Sequence, residues 1–226
     1  QGLGTRIISN YIQDLSLLEQ LSDLEMWSSC SSKNSDYDEG IINVNWLDRD
    51  AEPRSLWEKL AVWMWKDHPL LEAFPHFAGY ELWCNIIQAP SDLDWHVDTD
   101  EIANIESNGT IYSYPLMGSV YYGFPHRCRG GYLEILLHQG PSTVAEPSQF
   151  YQQQLAQLHT KDELQLERIE AEYNRVVYFN ASQWHRVSPV TAGGRVAFAV
   201  NIWEKQPRIY QSNHSNSKET PPYKYA

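Results

Sequence analysis

Two side chains able to bind a metal stand two residues apart in the stretch DLDWHVDTD, at His96 and Asp98. In an extended segment, residues two apart project to the same face, so one imidazole and one carboxylate can meet a single ion. With a second histidine, such a pair could form a facial triad on iron(II), which leaves three adjacent positions of the ion free for other ligands. The pair alone is a common pattern, and a solvated acidic loop or a weak calcium site is the alternative.

His185 is the best candidate for the third ligand. It follows the apolar run VVYF and precedes Pro189 in NASQWHRVSPV. We therefore expect it at the end of a strand, from which its side chain can point into the mouth of a barrel. The remaining histidines stand beside prolines in the helical region, in a loop or in polar segments: His68, His76, His126, His138, His159 and His214. We predict that His96, Asp98 and His185 hold iron.

A candidate anion-binding residue, Arg195, follows His185 by ten positions and opens an apolar strand after Gly193 and Gly194. A charge that enters a core needs a partner. The planar guanidinium group matches a carboxylate with two parallel hydrogen bonds. Without the rest of the pattern, a salt bridge to a protein carboxylate explains Arg195 better than a ligand does.

The order and spacing of six short motifs resemble the prolyl-hydroxylase branch of the 2-oxoglutarate/iron(II) oxygenases, over roughly residues 79–203. The motifs are WHVD at 95–98, SVYYGF at 119–124, GGYL at 130–133, NRVVYF at 174–179, HRVSPV at 185–190 and GGR at 193–195. The resemblance implies a double-stranded β-helix, a jelly-roll barrel open at one end. It also implies iron(II), 2-oxoglutarate and dioxygen as cofactor and cosubstrates. The expected reaction is hydroxylation of a peptidyl residue, a free amino acid or a small metabolite, with release of succinate and carbon dioxide.

The resemblance further implies a cosubstrate pocket around Arg195. Arg195 matches the cation that binds the far carboxylate of 2-oxoglutarate, and Tyr122, in preference to Tyr121, matches the tyrosine beside it. Leu133 is expected to line the same pocket. Many collagen-type prolyl hydroxylases have lysine in place of Arg195, and the second pocket tyrosine of some relatives is replaced near Ile86. Asn85 or Trp83 could serve in its place, and Ser188 is a secondary candidate.

Substrate contacts are expected from the loops 99–115 and 125–129, which should flank the barrel mouth. The second loop carries a small basic cluster that could attract a carboxylate or an acidic peptide. Ordinary solvated loop charges are the alternative explanation for that cluster. Strand alternation places a further polar side chain on the face of Arg195. The candidate substrate residues are His126, Arg127, Asn201 and Trp203, with Arg129 completing the basic cluster.

The elements that must position these residues change in character near residue 79. Before it, a helix capped by Asp14 should carry apolar residues at helical spacing from Leu15 to Trp27. A polar loop should cover 28–40, and a second helix should begin near Pro53. After it, short apolar runs bounded by turn residues predict a sandwich or barrel. The predicted strands are 79–89, 116–124, 131–137, 163–171, 175–180 and 196–203.

Length and composition are consistent with one domain. The chain has 226 residues, of which 42% are hydrophobic and 20% charged, ordinary values for a globular domain. We predict a single oxygenase domain over 1–226, mainly β with flanking helices. It should comprise a helical part at 1–78, a jelly-roll core at 79–204 with a polar insert at 138–162, and a polar tail at 205–226.

Charge and cysteine content restrict the partners and the compartment. A formal net charge of −12 repels phosphate groups, so we expect neither nucleic acid nor an anionic membrane as a partner. The sequence contains no run of about 18 apolar residues, so we expect no membrane span. No signal peptide is visible. Three scattered cysteines do not suggest a disulfide framework or a zinc site. They suit a reducing, cytoplasmic compartment.

Two alternative functions remain from the sequence. A non-catalytic jelly-roll module could bind a sugar, a peptide or a metal without turnover, although the three ligands and the arginine argue against it. A nucleic-acid demethylase is suggested by HVDTDE, which matches the His-x-Asp-x-x-Glu start of that branch. The short spacing between His185 and Arg195 and the net charge both oppose a demethylase.

Overall fold

Two antiparallel β-sheets form the body of the protein. The computed structural model describes residues 4–30, 45–125, 127–137, 156–158 and 164–211. The strands are β1 (Arg6–Ser9), β2 (Asn45–Asp48), β3 (Gly79–Gln88), β4 (Ser91–His96), β5 (Met117–Tyr122), β6 (Arg129–Gly130), β7 (Leu133–Leu136), β8 (Leu166–Ile169), β9 (Arg175–Phe179), β10 (His185–Ala192) and β11 (Gly194–Trp203). The helices are α1 (Leu15–Leu21), α2 (Leu24–Cys30), α3 (Leu56–Trp65), α4 (Pro69–Ala73), α5 (Glu101–Glu106) and a 3₁₀ helix, Arg208–Tyr210.

The sheet order is that of a jelly roll. One sheet has six strands in the order β1-β9-β5-β11-β3-β2, and the other has the order β4-β10-β7-β8, with β6 paired to β10. Strands distant in the chain lie side by side, and every pair is antiparallel. The predicted fold class, mainly β with flanking helices, is confirmed.

Strand β11 shows why its sequence is apolar almost throughout. Alternate residues of a strand face opposite sides of the sheet, and here both sides are covered. One set packs against the helical layer: Val196, Phe198, Val200 and Ile202. The other set faces the second sheet and is short or polar: Arg195, Ala197, Ala199 and Asn201. The long polar side chains of β11 therefore point into the space between the two sheets.

Helix α3 supports the six-stranded sheet from outside. Ser55 and Glu58 form a capping box, in which each side chain accepts a hydrogen bond from the other residue's backbone N–H, and this defines the start of the helix. The face of α3 that contacts the sheet carries Trp57, Leu60, Ala61, Met64 and Trp65. Burial of these large side chains holds β3 and β11 in place behind the space between the sheets.

The N-terminal third differs from the predicted helical part. The single helix expected after Asp14 is two helices, because Ser22 caps the end of α1 and the Asp23 carboxylate accepts a hydrogen bond from the backbone N–H of Glu25. Strands β1 and β2 also lie in this region, at the two edges of the six-stranded sheet. The predicted loop 28–40 is wrong at its start, where α2 continues to Cys30, and most of the rest lies outside the described residues.

The expectation of reduced cysteines is also wrong. Cys30 of α2 and Cys84 of β3 form a disulfide, with their Cα atoms 5.8 Å apart. The pairing arises because α2 packs on the outward face of β3, a contact that the spacing of the two cysteines does not predict. Disulfides persist mainly in oxidising compartments, so this bond does not support the expected cytoplasmic location. Within the described ranges, no helix has the length and apolarity needed to cross a bilayer.

Candidate metal centre and anion pocket

The ends of two neighbouring strands bring the three predicted metal ligands together. His96 ends β4 and His185 begins β10, and the two residues are directly opposite each other in the antiparallel register. Asp98 follows β4 by two residues, and its backbone N–H donates to the carbonyl oxygen of Ala181 at 3.0 Å. This bond ties the Asp98 segment to the chain that leads into β10. The three side chains therefore meet at one end of the five-stranded sheet.

The distances suit a single bound ion. Asp98 Oδ1 lies 3.8 Å from His96 Nε2 and 3.7 Å from His185 Nε2. The potential ligand atoms of the three residues all lie within 4.8 Å of one another. Both histidines are buried, and the two rings lie 4.2 Å apart between centroids. Two imidazoles and one carboxylate at this separation can form the facial metal triad.

The backbone holds both imidazoles in the tautomer that a metal requires. His96 Nδ1 lies 2.7 Å from the carbonyl oxygen of Asp94, and His185 Nδ1 lies 2.8 Å from that of Gln183. A carbonyl oxygen can only accept, so each Nδ1 carries the hydrogen. Each Nε2 then carries the lone pair of the ring and lies on the side of Asp98 Oδ1. The local hydrogen bonds thus prepare both rings for metal binding.

The metal-free protein is expected to lose stability as the pH falls from about 6.5 towards 4. Burial, together with the like charge of His96, lowers the pKa of His185 from 6.5 to about 4. The unfolded chain keeps the ordinary pKa, so in this window it takes up a proton that the folded chain does not, and protonation favours unfolding. Urea unfolding at pH 7 and pH 5 measures the loss. The variant His185→Gln should show a smaller difference between the two pH values, and an equal difference would contradict this prediction.

Arg195 is a buried cation without a carboxylate partner in the described part of the chain. Its exposed fraction is 3%. Nε donates to the carbonyl oxygen of Gly131 at 3.0 Å, and Nη2 donates to the hydroxyl of Tyr122 at 3.0 Å. Among the residues described, no aspartate or glutamate forms an ion pair with Arg195. The predicted alternative of a protein salt bridge therefore finds no support among the described residues.

The second glycine of the GGYL motif leaves space for Arg195. Gly131 has a φ of +67°, a conformation that favours glycine. A Cβ atom there would lie 3.2 Å from Arg195 Cδ. Leu133 and Tyr122 are both buried in the apolar cluster between the sheets, and the Tyr122 hydroxyl accepts the hydrogen bond from this arginine. The structure thus places the three residues predicted for the cosubstrate pocket on the inner walls of the barrel.

The remaining predicted pocket residues have different surroundings. Ser188 pairs with Tyr132, since its hydroxyl accepts a hydrogen bond from the Tyr132 N–H at 3.0 Å. Its contact therefore joins β10 to the segment before β7. Trp83 packs against the cluster between the sheets. The side-chain amide oxygen of Asn85, Oδ1, is buried without a hydrogen-bond partner among the described residues. Of these three candidates, only Asn85 has a buried side-chain polar atom without a hydrogen-bond partner among the described residues.

Two of the predicted substrate residues lie behind the metal ligands. Asn201 Nδ2 donates to Asp98 Oδ2 at 2.9 Å, and Trp203 Nε1 donates to Glu81 Oε2 at 2.8 Å. Burial, and next the negative charge of Asp98, raise the pKa of Glu81 to about 7. Tyr210 also contacts Glu81. Sequence reasoning identified neither Glu81 nor Tyr210, since no motif marks them.

The predicted basic cluster lies away from the metal ligands. Arg129 pairs with Ala192, at the opposite end of β10 from His185. Arg127 lines a separate cleft of about 540 Å³ with the Gly193–Gly194 turn and the segment between α1 and α2. These positions do not favour a substrate contact for Arg127. His126 lies outside the described residues.

Comparisons with solved structures show the same fold. No family model and no curated protein sequence matches the chain. A prolyl-4-hydroxylase from Pseudomonas putida is similar with a TM-score of 0.57 and 10% identity, over 90% of this chain and 94% of that one. HygX from Streptomyces hygroscopicus, with iron bound, has a TM-score of 0.51 and 12% identity, over 88% and 82%. A 2OG-Fe(II) oxygenase from Burkholderia pseudomallei has a TM-score of 0.50 and 14% identity, over 90% and 87%.

The chain therefore has the jelly-roll fold of the 2OG-Fe(II) oxygenases, together with a His–Asp–His cluster at one end of the barrel. Its fold resembles that of a prolyl-4-hydroxylase over most of both chains. At these identities the likeness is one of fold, so activity must be argued from the site itself.

Proposed function

We propose that this protein is an iron(II)- and 2-oxoglutarate-dependent oxygenase. His96, Asp98 and His185 would hold the metal, and Arg195 with Tyr122 would bind the far carboxylate of 2-oxoglutarate. With its metal and cosubstrate bound, such a centre uses dioxygen to oxidise a C–H bond of the substrate, and 2-oxoglutarate becomes succinate and carbon dioxide.

One observation carries the proposal: a buried guanidinium group without a carboxylate partner among the described residues occurs in the same barrel as the metal triad. A metal site alone would fit many functions, and so would a buried arginine with a protein partner. Arg195 lacks that partner among the described residues, which supports an anion as a regular occupant of the barrel. A dicarboxylic acid that chelates the metal at one end could supply the carboxylate partner of Arg195 at the other end.

The side chains between the two groups are consistent with a bound chelator. On β11, the two inward positions between Arg195 and Asn201 are Ala197 and Ala199, which carry only methyl groups. The Tyr122 hydroxyl accepts a hydrogen bond from Arg195, so its own hydrogen remains available to a carboxylate. The protein would then hold the chelator between the metal at one end and Arg195 with Tyr122 at the other. It would also keep water from the reacting centre.

For the substrate, we propose a peptidyl residue, a free amino acid or a small metabolite. It would approach the metal from the open end of the barrel, where β4 ends and β10 begins. The loop after Asp98 carries α5 and the stacked rings of Tyr112 and Tyr114, with centroids 6.1 Å apart. We propose that this loop contacts the substrate, because it directly follows Asp98 along the chain.

Release of succinate from 2-oxoglutarate is the direct test. Purified protein with added iron(II) should form succinate slowly even without a substrate, and a strong chelator should stop the reaction. Such uncoupled turnover needs only the metal, the cosubstrate and dioxygen, so it can be measured before the substrate is known. If the protein binds both metal and 2-oxoglutarate but never forms succinate, a non-catalytic jelly-roll binding module becomes the better description.

A further inference from the structure

The two oxygens of the Asp98 carboxylate have different surroundings. Oδ1 faces the Nε2 atoms of His96 and His185, at 3.8 and 3.7 Å. Oδ2 accepts a hydrogen bond from Asn201 Nδ2 at 2.9 Å. A carboxylate with two free oxygens can rotate, or bind an ion through both of them. With Oδ2 occupied by an amide, Oδ1 is the oxygen presented to an ion.

Asn201 is itself held in one orientation. It is 2% exposed, and on β11 it lies opposite Glu81 of β3 and Gly118 of β5. A Cβ atom at residue 118 would lie 2.7 Å from Asn201 Oδ1, so the glycine makes room for this side of the amide. The amino side faces two acceptors, the carboxylates of Asp98 and Glu81. An NH₂ group has two hydrogens and can donate to both of these side chains, whereas the flipped amide would place its own oxygen against the Asp98 carboxylate.

Glu81 connects this amide to the chain that follows β11. Its Oε2 accepts from Trp203 Nε1 at 2.8 Å, and its Oε1 accepts from the Tyr210 hydroxyl at 3.1 Å. The Tyr210 ring stacks on Trp46 of β2, with centroids 5.6 Å apart. A series of hydrogen bonds therefore runs from Asp98 through Asn201 and Glu81 to Tyr210.

The same C-terminal turn also contacts the segment that follows Asp98. The backbone N–H of Arg208 donates to Asp100 Oδ2 at 2.9 Å, and Asp100 caps helix α5. The turn Arg208–Tyr210 thus contacts the metal-binding region at two separate points, Asp100 on one side and Glu81 on the other. The acceptor Asp100 is buried, and Glu81 and Tyr210 are half-buried, so both contacts are sheltered from water on at least one side.

We propose that Asn201 is a positioning residue that directs Asp98 Oδ1 to the metal, and that Glu81 and Tyr210 hold Asn201 for this task. The turn after β11 is then a structural part of the metal centre. This inference deepens the proposed function and rests on its metal site. It replaces the prediction that Asn201 and Trp203 contact the substrate, because their polar atoms already bind Asp98 and Glu81.

Cobalt(II) binding tests the inference without turnover. Affinity is measured by competition with a chelator, and the visible spectrum of bound cobalt(II) reports its coordination. Asn201→Ala should lower affinity by about 10- to 100-fold, the usual effect of removing an outer partner of a metal ligand, and should alter the spectrum as Asp98 changes its binding mode. Asn201→Asp should lower affinity further, since it places a third carboxylate between two others. Tyr210→Phe should produce a smaller loss in the same direction.

Matched variants control for general destabilisation. Ser119→Ala removes a buried hydrogen bond to the same strand, from Ser119 Oγ to the carbonyl oxygen of Val200, on the face away from the metal. Tyr173→Phe removes an exposed tyrosine hydroxyl. Both should bind cobalt(II) like the wild type and give the same spectrum.

The outcomes separate this inference from the proposed function. If the wild type binds cobalt(II) and Asn201→Ala matches it in affinity and spectrum, the positioning role is overturned while the metal site stands. If Asn201→Ala does not fold, Tyr210→Phe decides, and a spectrum and affinity identical to the wild type overturn the inference. A wild-type protein that binds no divalent metal overturns both.

Discussion

Replacing either candidate metal-binding histidine, as His96→Ala or His185→Ala, is expected to abolish metal binding and succinate formation together. Each imidazole presents its Nε2 lone pair to the same point as Asp98 Oδ1. Loss of an outer partner of a ligand costs about 10- to 100-fold in metal affinity, so loss of a ligand itself should cost more than about 100-fold. Competition with a chelator, followed by the succinate assay, measures both quantities.

The exposed histidine His76 provides the matched control for this prediction. It lies on the surface in the segment between α4 and β3, so His76→Ala should keep the metal affinity and the activity of the wild type. Thermal unfolding of the metal-free variants checks that each still folds. Full metal affinity in His96→Ala or His185→Ala would remove the basis of the proposed oxygenase.

Arg195→Ala is expected to weaken 2-oxoglutarate binding by about 100-fold or more while leaving metal affinity nearly unchanged. Arg195 lies on the inner wall of the barrel with Tyr122 and Gly131 as its hydrogen-bond partners, and it has no bond to a metal ligand. A hydrogen bond to a charged group contributes about 1.5 to 3 kcal/mol, so the two bonds of an arginine–carboxylate pair contribute about 3 kcal/mol or more. Each 1.4 kcal/mol is about tenfold in affinity. The KM for 2-oxoglutarate and a separate cobalt(II) titration give the two values.

Two companion variants show which property of Arg195 matters. Arg195→Lys keeps the charge but loses the planar fork, so its KM should fall between those of the wild type and Arg195→Ala. Arg54→Ala, which removes an exposed arginine before α3, should leave both measurements as they are. An equal loss of metal and 2-oxoglutarate affinity in Arg195→Ala would indicate a structural role and count against the anion pocket.

Several parts of the fold follow from local pattern. The strands β3, β5, β7, β8, β9 and β11 were predicted from short apolar runs between turn residues, and the structure confirms them. Strands β4 and β10 were not predicted as complete strands. Their sequences, SDLDWH and HRVSPVTA, mix polar and apolar residues, because one side of each strand is less covered. Periodicity reports burial, so it is weakest where a strand is buried on one side only.

The sequence by itself determined which residues could do chemistry. The His-x-Asp spacing places two ligands on one face, and the apolar run after Gly194 places Arg195 and Asn201 on the same side of a strand. These are local consequences of backbone geometry, since alternation depends only on neighbouring residues. The resemblance of the motifs then indicated the jelly roll.

Tertiary structure alone decided what those residues contact. The register that sets His185 opposite His96, the lack of a described carboxylate beside Arg195, and the Cys30–Cys84 bond all depend on packing between distant segments. The same holds for Asn201, which the strand pattern placed correctly, but whose amide turns out to hold Asp98. A buried polar group bonds to whichever donors and acceptors the rest of the fold brings near it. The spacing of residues along the chain does not predict which groups those are.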